Sequence, residues 1–296
     1  MLTAAALLSP GAAVATAGGP RAASLPPGAQ AAAGALAAVV FLPATAQAAE
    51  TPAVESPGTI AVESPGTIAV ESPGTIAVES PGTIAAPSRA AGSETALIAA
   101  PTAVRSRPGG GRVVTHLSGE TAWSHQAQIL LVLGSADVGG RLWLRVLLPL
   151  RPVGRAGWVP ANRVRLRHDD VWVELHKGRR QLLAYRGGRP ARRYPVVIGR
   201  AATPTPAGLA AIYERNRQPD PTGFLGPWAL PLTALSPVLR SFGGGPGRIA
   251  IHGRDGASLA DPLGSAASHG CIRIPDAGIR WLAAHAPPGT PVLITD

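Results

Sequence analysis

This chain of 296 residues has one cysteine, one methionine and only 4% aromatic residues. A single thiol excludes an internal disulfide framework and any cysteine-rich zinc module. Lysine is reduced to Lys177, so the net charge of +10 is carried almost entirely by arginine. With alanine abundant as well, that bias is the mark of a GC-rich genome. No nucleic-acid-binding motif accompanies it, and nucleic acid is not an expected partner. Anionic wall polymers, or solubility alone, account for the charge. Few aromatics beside 36 Gly and 31 Pro argue for turns and short strands over long helices. Long apolar runs are also missing: the stretch at 31–42 is about a dozen residues, short of the ~20 that span a bilayer.

That stretch follows Arg21 and is followed by Pro43 and Ala44-Thr45-Ala46-Gln47-Ala48. A positive residue, an apolar core and an A-x-A site in this order make residues 1–48 a secretory signal, cleaved after Ala48. The expected location is the periplasm or cell wall. AVESPGTI then occurs four times in succession over 53–84. A period of eight is too short for a solenoid, and a proline in every unit interrupts helix and central strand alike. Residues 49–94 are therefore expected to be a low-complexity tether.

The rest divides in two. Over 95–168, short apolar runs at 103–105, 113–117, 128–133, 142–148 and 157–160 lie between turns. Leu142, Leu144, Val146 and Leu148 alternate, a period of two, which predicts a half-buried strand. Five short strands point to a small β-barrel, and the stretch closing on Gly157-Trp158-Val159 resembles bacterial SH3-like wall-associated domains. Over 169–296, runs at 171–175 and 181–185 flank Lys177-Gly178 as a hairpin, with further strands at 194–198, 248–252 and 291–295. Only 276–285 reads as a helix: it follows Pro275, has Asp276 in its first turn, and sets Ile279, Leu282 and Ala283 on one face.

The lone cysteine sits in Ser268-His269-Gly270-Cys271-Ile272-Arg273, nineteen residues after His252. Its neighbours are small, polar and turn-forming, unlike the apolar setting of an inert buried cysteine. Together with Ile251-His252-Gly253, the segment Ala202-Thr203-Pro204-Thr205-Pro206-Ala207-Gly208 and Gly289-Thr290-Pro291-Val292, this block resembles the L,D-transpeptidase (YkuD-type) catalytic domain over about 170–296. Ala210-Ala211 stand where that family more often has an aromatic, and Ile274 where it has methionine. The resemblance implies a mainly β fold: the SH3-like barrel followed by an L,D-transpeptidase-type β-sandwich or barrel with one short helix. It also implies Cys271 as nucleophile, His252 as its base, the Gly253 carbonyl orienting the imidazole, and backbone N–H groups around Gly270 and Cys271 as an oxyanion hole.

The chemistry is consistent with those roles. A free thiol has a pKa of ~8.5, and an imidazole in contact is expected to convert it to a thiolate–imidazolium pair. Arg273 is a candidate bidentate clamp for a stem-peptide carboxylate, or else a surface arginine. Ser268 and His269 are candidates for shaping the loop or binding substrate. His252, His269 and Cys271, with Asp255 or Asp261, are zinc-ligand types, yet no short paired spacing is present, and no metal or other cofactor is expected.

The resemblance thus implies an exported, monomeric peptidoglycan L,D-transpeptidase. It would form 3→3 cross-links between stem peptides through a cysteinyl acyl-enzyme, with wall polymers as a second partner through the SH3-like part. The alternatives are an L,D-carboxypeptidase at the same site, a non-catalytic wall-binding protein, and a cysteine endopeptidase of the other wall-hydrolase fold. In that last class the cysteine commonly precedes its histidine, the reverse of the order here.

Overall fold

The computed structural model describes residues 83–242 and 244–296. The expected signal peptide and nearly all of the repeat lie outside the described residues. The first half is one antiparallel sheet of β1 (Ser93–Ile98), β2 (Thr102–Arg107), β3 (Gly110–Leu117), β4 (Ile129–Val138), β5 (Arg141–Leu147), β6 (Ala156–Pro160) and β7 (Val164–Asp169). Its strand order is β3-β2-β6-β5-β4-β1-β7.

Five of these strands match the apolar runs. The other two, β1 and β7, pair from Ser93 against Asp169 to Ile98 against Val164. In β5 the period-two expectation holds for Leu144 and Val146, which are fully buried with Ala96, Leu130, Val132 and Val159. It fails at Leu147, which is also buried, because Leu147 joins Leu131 and Ala211 in a seam between the two halves of the fold. Ile84, the last residue of the repeat, packs against the first-half core, and its N–H donates to Ser135 Oγ at 2.8 Å.

The second half contains β8 (Val171–His176), β9 (Gln181–Arg186), β10 (Arg189–Pro195), β11 (Ile198–Gly199), β12 (Gly208–Ala211), β13 (Asn216–Arg217) and β14 (Trp228–Leu235). It continues through β15 (Arg248–His252), β16 (Ala266–Ser268), β17 (Ile272–Arg273), α1 (Asp276–His285) and β18 (Pro291–Thr295). One sheet runs β10-β9-β8-β18-β12, a second β13-β14-β15-β17, and β11 pairs with β16. The two larger sheets share one core: Val173 and Leu182 from the first, Leu230, Leu232 and Ile251 from the second, and Ile279 and Leu282 from α1.

α1, the one α-helix among the described residues, starts after Pro275 and has Asp276 in its first turn and His285 in its last. Ile279, Leu282 and Ala283 form its buried face. The strand expected over 194–198 is split. β10 ends at Pro195, which has no N–H to continue the ladder. No helix among the described residues is long and apolar enough to cross a membrane.

Candidate active site

β15 lies between β14 and β17, antiparallel to the first and parallel to the second. In the parallel ladder Ile251 pairs with Ile272 and His252 with Arg273. Continued one residue back, this register sets Cys271 level with Ala250. On that extension, two residues of rise and one inter-strand step would separate the His252 and Cys271 backbones by on the order of 8 Å. The register therefore brings together residues nineteen positions apart.

His252 is 1% exposed. Its Nδ1 lies 2.7 Å from the Gly253 carbonyl oxygen. A carbonyl can only accept, so Nδ1 carries the proton and Nε2 presents a free lone pair. Burial, then the nearby charge of Arg273, depresses the imidazole pKa to about 4, against a smaller upward pull from the Gly253 hydrogen bond. Cys271 is partly buried, and desolvation pushes its thiol pKa up, opposed by the Ala250 N–H and the charge of Arg273. Both shifts favour uncharged forms. Desolvation thus works against the thiolate–imidazolium pair expected from contact alone, and toward a thiol and a neutral imidazole.

The Cys271 loop is shaped from two sides. Ser268 Oγ donates to the Cys271 carbonyl at 2.6 Å and accepts from the Gly270 N–H at 3.1 Å. From the upstream loop, Thr205 Oγ1 donates to the Gly270 carbonyl at 2.8 Å, and Thr203 Oγ1 to the Ser268 carbonyl at 3.2 Å. Gly270 has φ +118°, a conformation that L side chains rarely adopt, so the backbone here favours glycine. The Gly270 N–H is already engaged by Ser268. Of the two amides expected to stabilise an oxyanion, the Cys271 N–H is the one with no acceptor among the described residues.

Ser268 therefore organises the loop. His269 is held as well: its Nε2 accepts from Arg200 Nη2 at 2.8 Å, and its ring stacks on Phe242 at 5.7 Å. Its pKa is lowered by partial burial and by the charges of Arg200 and Arg273. Arg273 is 4% exposed, which rules out the surface-arginine reading. Its Nη1 pairs with Asp261 Oδ2, and its guanidinium carbon lies 4.8 Å from the Phe224 ring centroid. Its Nε is buried and has no partner among the described residues. Phe224 also faces the His252 ring at 6.1 Å.

Phe224, Phe242, Arg200 and Asp276 carry no local sequence signal for this role. Asp276 Oδ1 accepts from the Arg254 N–H at 2.9 Å and so ties the start of α1 to the strand end that holds His252. Among the described residues, no group of three or more His, Cys, Asp or Glu is placed to hold a metal ion.

Residues 170–294 match the family model of the L,D-transpeptidase catalytic domain, YkuD. The chain is 35% identical over 116 residues to the protein YkuD of Bacillus licheniformis, covering 39% of this chain and 60% of that one. To YkuD of Bacillus subtilis it is 32% identical over 122 residues, 41% of this chain and 64% of the relative. The chain thus spans less than two thirds of either relative's length. The catalytic domain of the Enterococcus faecium L,D-transpeptidase is a solved structure with 22% identity and a TM-score of 0.33, covering 43% of this chain and 98% of that one. Residues 170–294, the segment that holds both His252 and Cys271, are the part of this chain that matches the L,D-transpeptidase catalytic domain.

Proposed function

We propose that the chain is an exported L,D-transpeptidase that cross-links peptidoglycan stem peptides through a thioester on Cys271. The observation that carries this reading is the His252–Gly253 hydrogen bond. It leaves a neutral Nε2 free to accept a proton, on the strand whose parallel partner β17 directly follows Cys271. A tetrapeptide stem would present the carbonyl of its third, diamino-acid residue to Sγ. Nε2 takes the thiol proton as the S–C bond forms, and the Cys271 N–H donates to the developing oxyanion. The C–N bond then breaks, and His252 returns its proton to the departing D-Ala amine.

A side-chain amine of a second stem attacks the thioester, His252 accepts its proton, and the thiolate leaves to recover that proton. The result is a 3→3 cross-link. Water in place of the amine would give a carboxypeptidase. A role for Arg273 in holding a substrate carboxylate would need its buried guanidinium, now paired with Asp261, to open toward the stem. In the same reading residues 1–48 direct export, the repeat is a tether, and the N-terminal sheet is an SH3-like module.

The test is to incubate the full chain, and its Cys271→Ala variant, with a disaccharide-tetrapeptide and weigh the products. A dimer that has lost one D-Ala, absent with the variant, is the expected result. A trimmed monomer would select the carboxypeptidase. Unaltered substrate, or activity surviving in Cys271→Ala, would overturn the reading.

A further inference from the structure

One side chain of the N-terminal sheet holds both ends of a loop of the catalytic half. Arg151 lies in the turn between β5 and β6. Its Nε donates to the Ser236 carbonyl at 3.2 Å, and its Nη2 to the carbonyls of Leu239 at 2.9 Å and Pro246 at 2.7 Å. The loop base closes through the Ser236 N–H to the Gly247 carbonyl at 2.8 Å. Gly247 has φ +70°, and a Cβ there would lie 2.2 Å from the Leu239 carbonyl oxygen, so only glycine lets the two limbs close around the guanidinium. The turn is itself anchored: Val153 packs against the catalytic core, and Arg155 Nη1 donates to the Arg151 carbonyl at 3.1 Å.

At its far end this loop carries Phe242, whose N–H and carbonyl exchange hydrogen bonds of 3.0 Å with Gly245. The Phe242 ring stacks on His269, two residues before Cys271. Trp123, from the connection between β3 and β4, lies against Gly244 and Gly245. Phe242 is 41% and Trp123 43% exposed, and of the two it is Phe242 that lies on the thiol loop, over His269. A planar fork of five donors can meet three carbonyls at once, whereas an ammonium on a flexible stem meets them less well.

We propose that Arg151 is a positioning residue for the Cys271 site. Acting through the loop at 236–247, it sets where Phe242 stands over His269, and so shapes the rim that a stem peptide crosses to reach the thiol. The N-terminal sheet is then a working part of the enzyme. This inference rests on the reading of Cys271 as nucleophile.

The test uses the full chain with Arg151→Met, Arg151→Lys, Phe242→Ala and the Arg151→Met/Phe242→Ala double variant. Steady-state kinetics on the tetrapeptide are measured beside the rate of Cys271 alkylation by iodoacetamide. KM should rise on the order of tenfold in Arg151→Met and in Phe242→Ala, with a much smaller change in kcat. The double variant should be no worse than the poorer single one, because both changes act through one loop. Arg151→Lys should be intermediate, and alkylation should quicken in step with KM.

A wild-type KM and alkylation rate in Arg151→Met, or effects that add in the double variant, would overturn the inference. If Arg151→Met does not fold, Arg151→Lys and the exposed Phe242→Ala decide, and wild-type values in both count against it. If the wild-type chain leaves the tetrapeptide untouched, the proposed function has failed. Alkylation still reads the loop in that case, and equal rates in all variants overturn the clamp as well.

Discussion

His252 and Gly253 are joined by a hydrogen bond of 2.7 Å from the ring Nδ1 to the carbonyl of the next residue. So short a loop leaves no freedom: wherever the Gly253 peptide goes, the imidazole follows. The Gly253 position is fixed in turn, because a Cβ there would lie 2.5 Å from Asp276 Oδ1 and 3.0 Å from both Ile279 Cγ2 and Pro227 Cδ.

Gly253→Ala should therefore damage the site through the backbone. Overpacking at such a position costs about 1–3 kcal/mol, and the shifted carbonyl should turn Nε2 away from the thiol. The expected result is a lower melting temperature together with a kcat loss larger than the change in KM. A variant that melts lower but turns over at the wild-type rate would show that the carbonyl does not orient the ring.

The depressed His252 pKa makes two predictions with one sign. In the unfolded chain the imidazole titrates near 6.5, and in the fold at about 4. Between those values the unfolded state binds more protons, so stability is fully present above pH ~6.5 and is lost as pH falls toward 4. The loss approaches roughly 3 kcal/mol. Activity should follow the same group, with kcat/KM rising with pH through about 4 and level across neutrality. Replacing the residue, as in His252→Gln, should flatten the stability difference between pH 4.5 and 7. A thiolate–imidazolium pair would instead give a bell, with an acid limb set by a depressed thiol pKa and an alkaline fall where the imidazolium loses its proton, and that alkaline fall would refute the neutral pair. At the alkaline end the raised Cys271 pKa works in the opposite sense, since deprotonation above about pH 9 favours the unfolded chain.

How much of this was legible depends on range. β15, α1 and β18 could be read because each has local punctuation, such as Pro275 before the helix and Pro287 after it. β14 could not: its run Trp228–Leu235 contains Pro231, which reads as a break. In the structure the Pro231 carbonyl is used from the other side, accepting from the Tyr213 N–H at 2.7 Å, while the ladder with β15 shifts register beyond it. β7 was missed for another reason: its apolar Leu166 stays 37% exposed, and the strand is held by pairing with β1. The residues of the thiol loop were visible as a motif. The aromatic rings beside the site, Phe224 and Phe242, were not, because each reaches it from a separate loop.

Ser268 is a test of loop geometry. Among the described residues its buried Oγ alone bridges the Gly270 N–H and the Cys271 carbonyl. Ser268→Ala leaves both groups without that partner, at a cost of about 1–3 kcal/mol for a buried unsatisfied group. The released Gly270 amide should also loosen the φ +118° turn on which the nucleophile sits. A drop in kcat with little change in KM is expected, while Ser268→Thr should restore part of it. Unchanged kcat in Ser268→Ala would mean the Thr203 and Thr205 contacts hold the loop alone.

Arg273 separates binding from structure. It is buried between the Asp261 carboxylate and the Phe224 ring, and its Nε lacks a partner among the described residues. Arg273→Lys keeps the positive charge beside His252 and Cys271 but loses the planar fork and the stack. If the free N–H receives the terminal carboxylate of the stem, the variant should raise KM by on the order of tenfold, with kcat affected less. Amidating that carboxylate should weaken the wild-type enzyme by a similar factor and the variant hardly at all, because the interaction is already gone. Alkylation of Cys271 by iodoacetamide, which carries no carboxylate, should proceed at similar rates in both proteins. An amidated stem that the wild-type enzyme handles as well as the acid would leave Arg273 a purely structural partner of Asp261.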